Sequence, residues 1–273
     1  MTRVPLRSLA SYGGVLFDLD GTLYRGDVAL PGASDFVHAC RNAGLRIAFG
    51  TNNALLRRET IAARLRGMGI EADADELVTS SDALAAVARA DGITDVVRLG
   101  AAGLGDSLDR AGLPGPDAMD ADPGEVRPGH TALAVGLDPE RSLAGIARAA
   151  AIVEAGATVY ASAAEPHYPT DRGVEAGTGT MLAALNAMTP IAPILCGKPS
   201  RRFGERAAKA LATERPVLVV GDSLPADVGV ADVMGWDSLL VFTGSAREGD
   251  LALDGSPTHV ASDLVAVLSG LRG

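Results

Sequence analysis

Two aspartates two residues apart, Asp18 and Asp20, close an apolar run, Val15-Leu16-Phe17, and are followed at once by Gly21 and Thr22. Such a run predicts a buried strand, and the acids fall where that strand should end. Residues two apart on an extended chain face the same way, so both carboxylates can address one site. Gly21 permits the sharp turn that must follow. The carboxyl end of a strand is where an open α/β sheet places its ligands, and carboxylate oxygens are the donors that a hard divalent cation takes. Alone, the pair is equally compatible with a solvated turn or a helix cap.

Three more polar signatures follow predicted strands: Thr51-Asn52-Asn53 after 45–50, Gly197-Lys198-Pro199 after 194–196, and Gly221-Asp222, with Asp227 beyond, after 216–220. Each alone has an ordinary reading: a capping loop, a surface lysine, a strand-to-loop junction. Together they supply what attack on a phosphate ester needs. A carboxylate nucleophile must approach an anionic phosphoryl group, so their repulsion has to be cancelled. Mg2+ held by oxygens of Asp18, Asp20 and Asp222 can do so. Lys198 can act as a point charge on the phosphate, while Thr51 and Asn52 hold its remaining oxygens. A second acid beside the nucleophile can protonate the leaving alcohol and later activate water. Asp227 reads more readily as a supporting acid than as a direct metal ligand.

The elements that must position these residues alternate short apolar strands with helical segments, the pattern of a parallel α/β sheet. Helices are predicted over 31–43, 55–68, 82–90, 103–111, 141–154, from beyond Gly179 to 187, and from Ser200 onward. Further strands are predicted over 95–99, 131–137, 158–161 and 238–242. The organisation restarts near Ser80. The expected fold is therefore α/β, a doubly wound, Rossmann-like parallel-sheet core over 1–79 and 186–273, with an inserted α/β domain over 80–185.

Length and charge narrow the function. At 273 residues the chain can bury one core, or a core and a smaller companion. A net charge of −10 argues against nucleic acid or an anionic membrane as partner, and an anionic substrate needs local positive charge or a metal. Cys40 and Cys196 are far apart in sequence and are expected as buried reduced thiols. No stretch has the apolar length of a signal core or a membrane span, which places the chain in the cytoplasm as an expectation.

Asp-Leu-Asp-Gly-Thr at 18–22 resembles motif I of the haloacid dehalogenase (HAD) superfamily of phosphatases, with Thr51, Lys198 and Asp222/Asp227 similar to motifs II, III and IV in order. Asp-Gly-Thr-Leu-Tyr-Arg-Gly, then Thr-Asn-Asn, then Gly-Lys-Pro, resembles more narrowly the NagD-like subfamily with its large α/β cap. The resemblance implies that 80–185 is the cap, Asp18 the nucleophile, and Asp20 the general acid/base, touching metal through its backbone carbonyl. It also implies that Asp222 completes a Mg2+ site, Thr51 and Asn52 bind phosphate, and two subunits pair through the cap. The chain departs at Ala226, where the subfamily carries Thr before the acid. It departs again at 162–167, Ser-Ala-Ala-Glu-Pro-His, where an Asn-Pro-Asp-like stretch is usual.

The expected activity is Mg2+-dependent hydrolysis of a small phosphorylated metabolite, such as glycerol phosphate, phosphoglycolate or a sugar phosphate, through an aspartyl-phosphate. Nucleotide or pyridoxal phosphate is the alternative substrate, disfavoured by an aromatic content of 4%. A non-catalytic phospho-aspartate signalling module and a phosphotransferase are the other readings. Asn53, Glu165 and His167 join the candidate substrate contacts. For His167 and Tyr168 surface packing is the plainer reading, for Trp236 a core position, and for Gly177-Thr178-Gly179 a helix start.

Overall fold

Val217–Gly221 is buried along its whole length, and Gly14–Asp18 is buried up to its last residue. Strands without polar alternation belong inside a parallel sheet covered on both faces. The computed structural model describes residues 6, 8–170, 173–252 and 257–272. Its contacts divide the chain into two units, Met1–Thr51 with Arg58–Val78 and Lys198–Gly273, and Asn52–Arg57 with Thr79–Gly197.

The first unit is built on a six-stranded sheet. Its order is His259–Ala261, Asp237–Val241, Val217–Gly221, Gly14–Asp18, Arg46–Thr51 and Leu77–Thr79. Gly14–Asp18 runs parallel to both its neighbours, with Phe17 opposite Phe49 and Val220, and Asp18 opposite Gly50. The chain winds outward on one side of Gly14–Asp18 and later on the other, so the direction of winding reverses between that strand and Val217–Gly221. In such sheets the crevice beyond this switch point is the ligand site. Phe17 packs edge-on against Phe36 at 5.9 Å and stacks on Phe49 at 6.0 Å, which fixes the central strand from below. Helix Arg201–Leu211 begins where Ser200 accepts the Phe203 N–H at 3.2 Å. That cap ends the polar turn carrying Lys198.

The second unit has a four-stranded parallel sheet, in the order Ile194–Leu195, Thr158–Ala161, Thr131–Val135 and Asp95–Leu99. Its core interleaves small and large apolar side chains, with Ala118, Ala149, Ala150 and Ala161 packed among Leu99, Leu133, Ile152 and Leu185. Arg141, just before helix Leu143–Glu154, grips Asp117 through two hydrogen bonds of 2.7 and 2.8 Å and Asp138 through another of 2.8 Å. Burial pushes the Asp117 carboxyl up, but the Arg141 guanidinium outweighs it and holds the group below its ordinary value. A depressed carboxyl stabilises the fold above its unfolded pKa and loses that contribution as pH falls through the folded value. Arg141→Met should therefore cost about 1–2 kcal/mol at neutral pH. The difference in melting midpoint from the parent should shrink below about pH 4.

The structure moves several sequence-based expectations. The second unit includes 186–197, assigned above to the core, because Ile194 and Leu195 pair with Tyr160 and Ala161 in its sheet. It also includes Asn52–Arg57. The helix expected from residue 82 is Ser80–Ala90. Thr79 accepts the Asp82 N–H at 3.1 Å and Asp82 accepts the Thr79 N–H at 3.0 Å, so Asp82 closes a capping box from inside the helix. His167 lies in a hairpin, His167–Thr170 with Gly173–Ala176, where a loop was expected. Trp236 is only half-buried, and the short strand His259–Ala261 and helix Leu264–Arg272 carried no expectation. Cys40 and Cys196 are buried, and burial raises the Cys40 thiol to about 12. Among the described residues no helix is long and apolar enough to cross a membrane.

Candidate active site

Parallel register brings the ends of three strands level. Asp18 ends one, Thr51 ends its neighbour on one side, and Asp222 follows Gly221 at the end of its neighbour on the other. Lys198 enters from the turn before Ser200 with its side chain 4% exposed. Its Nζ donates to Asp18 Oδ1 at 2.6 Å, Asp227 Oδ1 at 2.7 Å and the Gly50 carbonyl at 3.2 Å. Burial works against the charged lysine, but the Asp18 and Asp227 carboxylates outweigh it and hold the ammonium above the ordinary lysine range. Lys198 is thus a fixed positive charge in the site.

Asp227 lies in the π-helical turn Leu224–Val228. Its second oxygen accepts the Ser223 N–H at 3.1 Å, so both its oxygens are engaged by this chain. Burial and the Asp18 charge raise its carboxyl, and the Lys198 ammonium opposes them. Asp222 is 5% exposed. Thr22 Oγ1 spans the two strand ends, 3.0 Å from Asp18 Oδ2 and 3.3 Å from Asp222 Oδ1. Burial, then the charge of Asp18, raises Asp222 to about 6, while the Ser245 N–H bound to its Oδ2 pulls it back.

Two glycines make room for Asp222. Gly21 has φ of +86°, and a Cβ there would stand 2.9 Å from the Asp222 carboxyl. A Cβ on Gly244 would stand 2.1 Å from Asp222 Oδ2, closer than atoms approach. Gly244→Ala should therefore displace the carboxylate and lower turnover by about tenfold or more, with little change in melting midpoint, since residue 244 is itself half-buried in a loop. Steady-state kinetics beside a thermal melt would check it.

Asp18, Asp222 and Asp227 each present an oxygen within 4.8 Å of the others, and they form the one group among the described residues with the makings of a metal site. Three carboxylates face one ammonium there, an excess of negative charge inside protein, and all the donors are hard oxygens. That set fits Mg2+ rather than a softer transition metal. Asp20 is outside this group. Its Oδ2 accepts the Tyr24 hydroxyl at 3.1 Å, and desolvation, then Asp18, raises its carboxyl to about 6. The remaining sequence candidates belong to the second unit. There Asn52 Nδ2 donates to Glu165 Oε1 at 2.7 Å, Asn53 Oδ1 accepts the Leu55 N–H at 2.8 Å, and Glu165 and His167 are exposed. Sequence reasoning gave no role to Thr22, Tyr24, Ser223 or Ser245. Thr22 and Tyr24 sat inside the quoted motif, whereas Ser245 carried no signal.

Residues 15–114 match the model of the haloacid dehalogenase-like hydrolases, and residues 195–267 match a second HAD-hydrolase-like model. An acid sugar phosphatase of Staphylococcus haemolyticus is 30% identical over 272 residues, covering 97% of this chain and 98% of that protein. The 5'-nucleotidase YutF of Bacillus subtilis is 28% identical over 260 residues, covering 94% and 97%. A glycerol phosphate phosphatase of Mycobacterium tuberculosis, crystallised with magnesium, superposes with a TM-score of 0.85 at 30% identity, covering 96% of this chain and 78% of that one. At 30% identity over nearly the whole of both chains, the chain belongs to the haloacid dehalogenase-like hydrolases, in their NagD-like branch.

Proposed function

We propose that the protein hydrolyses small phosphate monoesters through a phosphoryl group carried transiently on Asp18. The observation that carries this reading is the buried Lys198 ammonium, 2.6 Å from the Asp18 carboxylate and braced by Asp227. It leaves a carboxylate nucleophile beside a fixed cation, the pairing that attack on an anionic phosphoryl group needs.

In the first step an Asp18 oxygen bonds to phosphorus and the bond from phosphorus to the ester oxygen breaks. The Asp20 carboxyl gives its proton to the departing alkoxide. Burial, then the Asp18 charge, raises that carboxyl, which favours the protonated form the step needs. In the second step the Asp20 carboxylate takes a proton from water, whose oxygen bonds to phosphorus as the bond to Asp18 breaks, releasing phosphate and restoring both acids. Lys198 balances the charge on the transferring group, and the Thr51 hydroxyl binds one of its oxygens. Asp18 and Asp222 are the ligands of Mg2+ in this reading, and Asp227, with both oxygens engaged, positions Lys198. When bound, Mg2+ offsets the carboxylate charge and draws a phosphate oxygen toward the nucleophile.

Asn52, Asn53, Glu165 and His167 are proposed substrate contacts of the second unit. The relatives act on sugar phosphates, a glycerol phosphate and nucleotides by name. The preference here for polyol or sugar phosphates over nucleotides rests on the aromatic content of 4%. A homodimer through the second unit, which rests on the resemblance, and a cytoplasmic setting, which rests on the apolar pattern of the sequence, belong to the same reading. Phosphate release from a panel of sugar, polyol, nucleotide and pyridoxal phosphates, with and without chelator, tests the substrate and the metal. Chelation should abolish turnover and Mg2+ restore it. Saturating Mg2+ should also raise the melting midpoint, by about 2.7 kcal/mol of stability at a hundredfold excess over Kd, and Asp222→Asn should remove that rise. Metal-independent turnover by the chelated enzyme would defeat the reading.

A further inference from the structure

Tyr24 is 3% exposed, while Asp20, the residue it reaches, is exposed. Its hydroxyl donates to Asp20 Oδ2 at 3.1 Å, and its backbone closes the same loop, with the Gly21 N–H donating to the Tyr24 carbonyl at 2.8 Å. Arg64, from helix Arg58–Gly67, lies over the face of the Tyr24 ring at 4.9 Å. The same guanidinium donates to the Gly26 carbonyl at 2.7 Å and Asp27 Oδ1 at 2.9 Å, so it holds the turn that joins the two-residue strands Tyr24–Arg25 and Val28–Ala29.

This arrangement does more than pack. We infer that Tyr24, clamped by Arg64, is a positioning residue that holds the Asp20 carboxyl by one oxygen and turns the other toward the proton transfer. A phenol that donates to Oδ2 occupies that oxygen as an acceptor, so the proton of the neutral acid resides on Oδ1. An open aspartate free to rotate about χ1 and χ2 would meet the ester oxygen only part of the time. Fixing one oxygen removes that loss, and the cation–π contact with Arg64 fixes the ring that does the fixing. The inference rests on the proposed phosphatase reading, in which Asp20 is the acid.

Leaving-group dependence tests it, because a good leaving group needs no proton and a poor one does. The measurement is kcat/KM, which reports the step that breaks the ester bond, for 4-nitrophenyl, phenyl and 4-methoxyphenyl phosphate with Mg2+. The proteins are the parent, Tyr24→Phe, Arg64→Met and Asp20→Asn. Tyr24→Phe keeps the ring and its stacking and removes only the donor. Its loss on phenyl phosphate should be about tenfold, and at least fivefold larger than its loss on 4-nitrophenyl phosphate. Arg64→Met should show the same tilt with smaller size. Equal losses across the series, or no loss, would overturn the inference. Asp20→Asn guards the underlying reading: if it leaves phenyl phosphate hydrolysis intact, Asp20 is not the acid, and that failure is distinct from one confined to Tyr24.

Discussion

Asp18→Asn should abolish steady-state hydrolysis, lowering kcat by on the order of 10^4-fold or more, the scale seen when an enzyme loses its covalent nucleophile. The fold should survive. The amide matches the carboxylate in shape, Lys198 keeps Asp227 at 2.7 Å, and Thr22 keeps Asp222 at 3.3 Å. The charge of Asp18 also contributes to raising Asp222 and Asp227, so its removal relieves repulsion as well as breaking a pair. The melting midpoint should therefore stay within a few degrees of the parent in chelator. Activity and stability thus separate at this residue, and a thermal melt run beside the assay checks both. Asp18→Asn turning over at a tenth of the parental rate would place the nucleophile elsewhere.

Lys198→Met should damage both. Loss of the charge facing the transferring phosphoryl group should lower kcat by about 10^2–10^3-fold. It also leaves Asp227, 2% exposed, without its counter-ion, and breaking a buried pair from one side costs about 3–5 kcal/mol. Asp227→Asn, combined with Lys198→Met, removes the stranded charge. The double variant should be more stable than the sum of the single losses implies, with a coupling of about 1–3 kcal/mol. Denaturant titration of the four proteins reads that coupling. Additive losses would show that Asp227 does not brace the lysine.

Much of this was legible in the chain because strand ends are written in residue types. Apolar runs ending in Asp18, Thr51 and Asp222 announce a parallel sheet and the side on which its ligands bind, and the register then brings those ends level. Lys198 was legible only through its company, since nothing local separates a buried lysine in a turn from a surface one. What escaped depends on contacts remote in sequence. Ser245 serves Asp222 through its backbone N–H, which any residue offers, and Arg64 reaches Tyr24 across forty positions that carry no shared pattern. The boundary of the second unit escaped for a related reason. Ile194 and Leu195 make a strand too short to show which sheet it joins, and pairing with Tyr160 and Ala161 decides it. Glu165 and Asn52 were read as separate substrate contacts, whereas their side chains bond to each other at 2.7 Å.

The covalent step is open to direct observation. The enzyme with Mg2+ and 4-nitrophenyl phosphate, quenched in acid within the first turnover, should carry a phosphoryl group on the peptide that contains Asp18. The group should be labile to hydroxylamine, as an acyl phosphate is, and should decay at least as fast as kcat when substrate is exhausted. Nitrophenol release continuing with no phosphoryl group on that peptide would contradict the account. So would a phosphorylated Asp18 that outlives many turnovers, the behaviour of a signalling module.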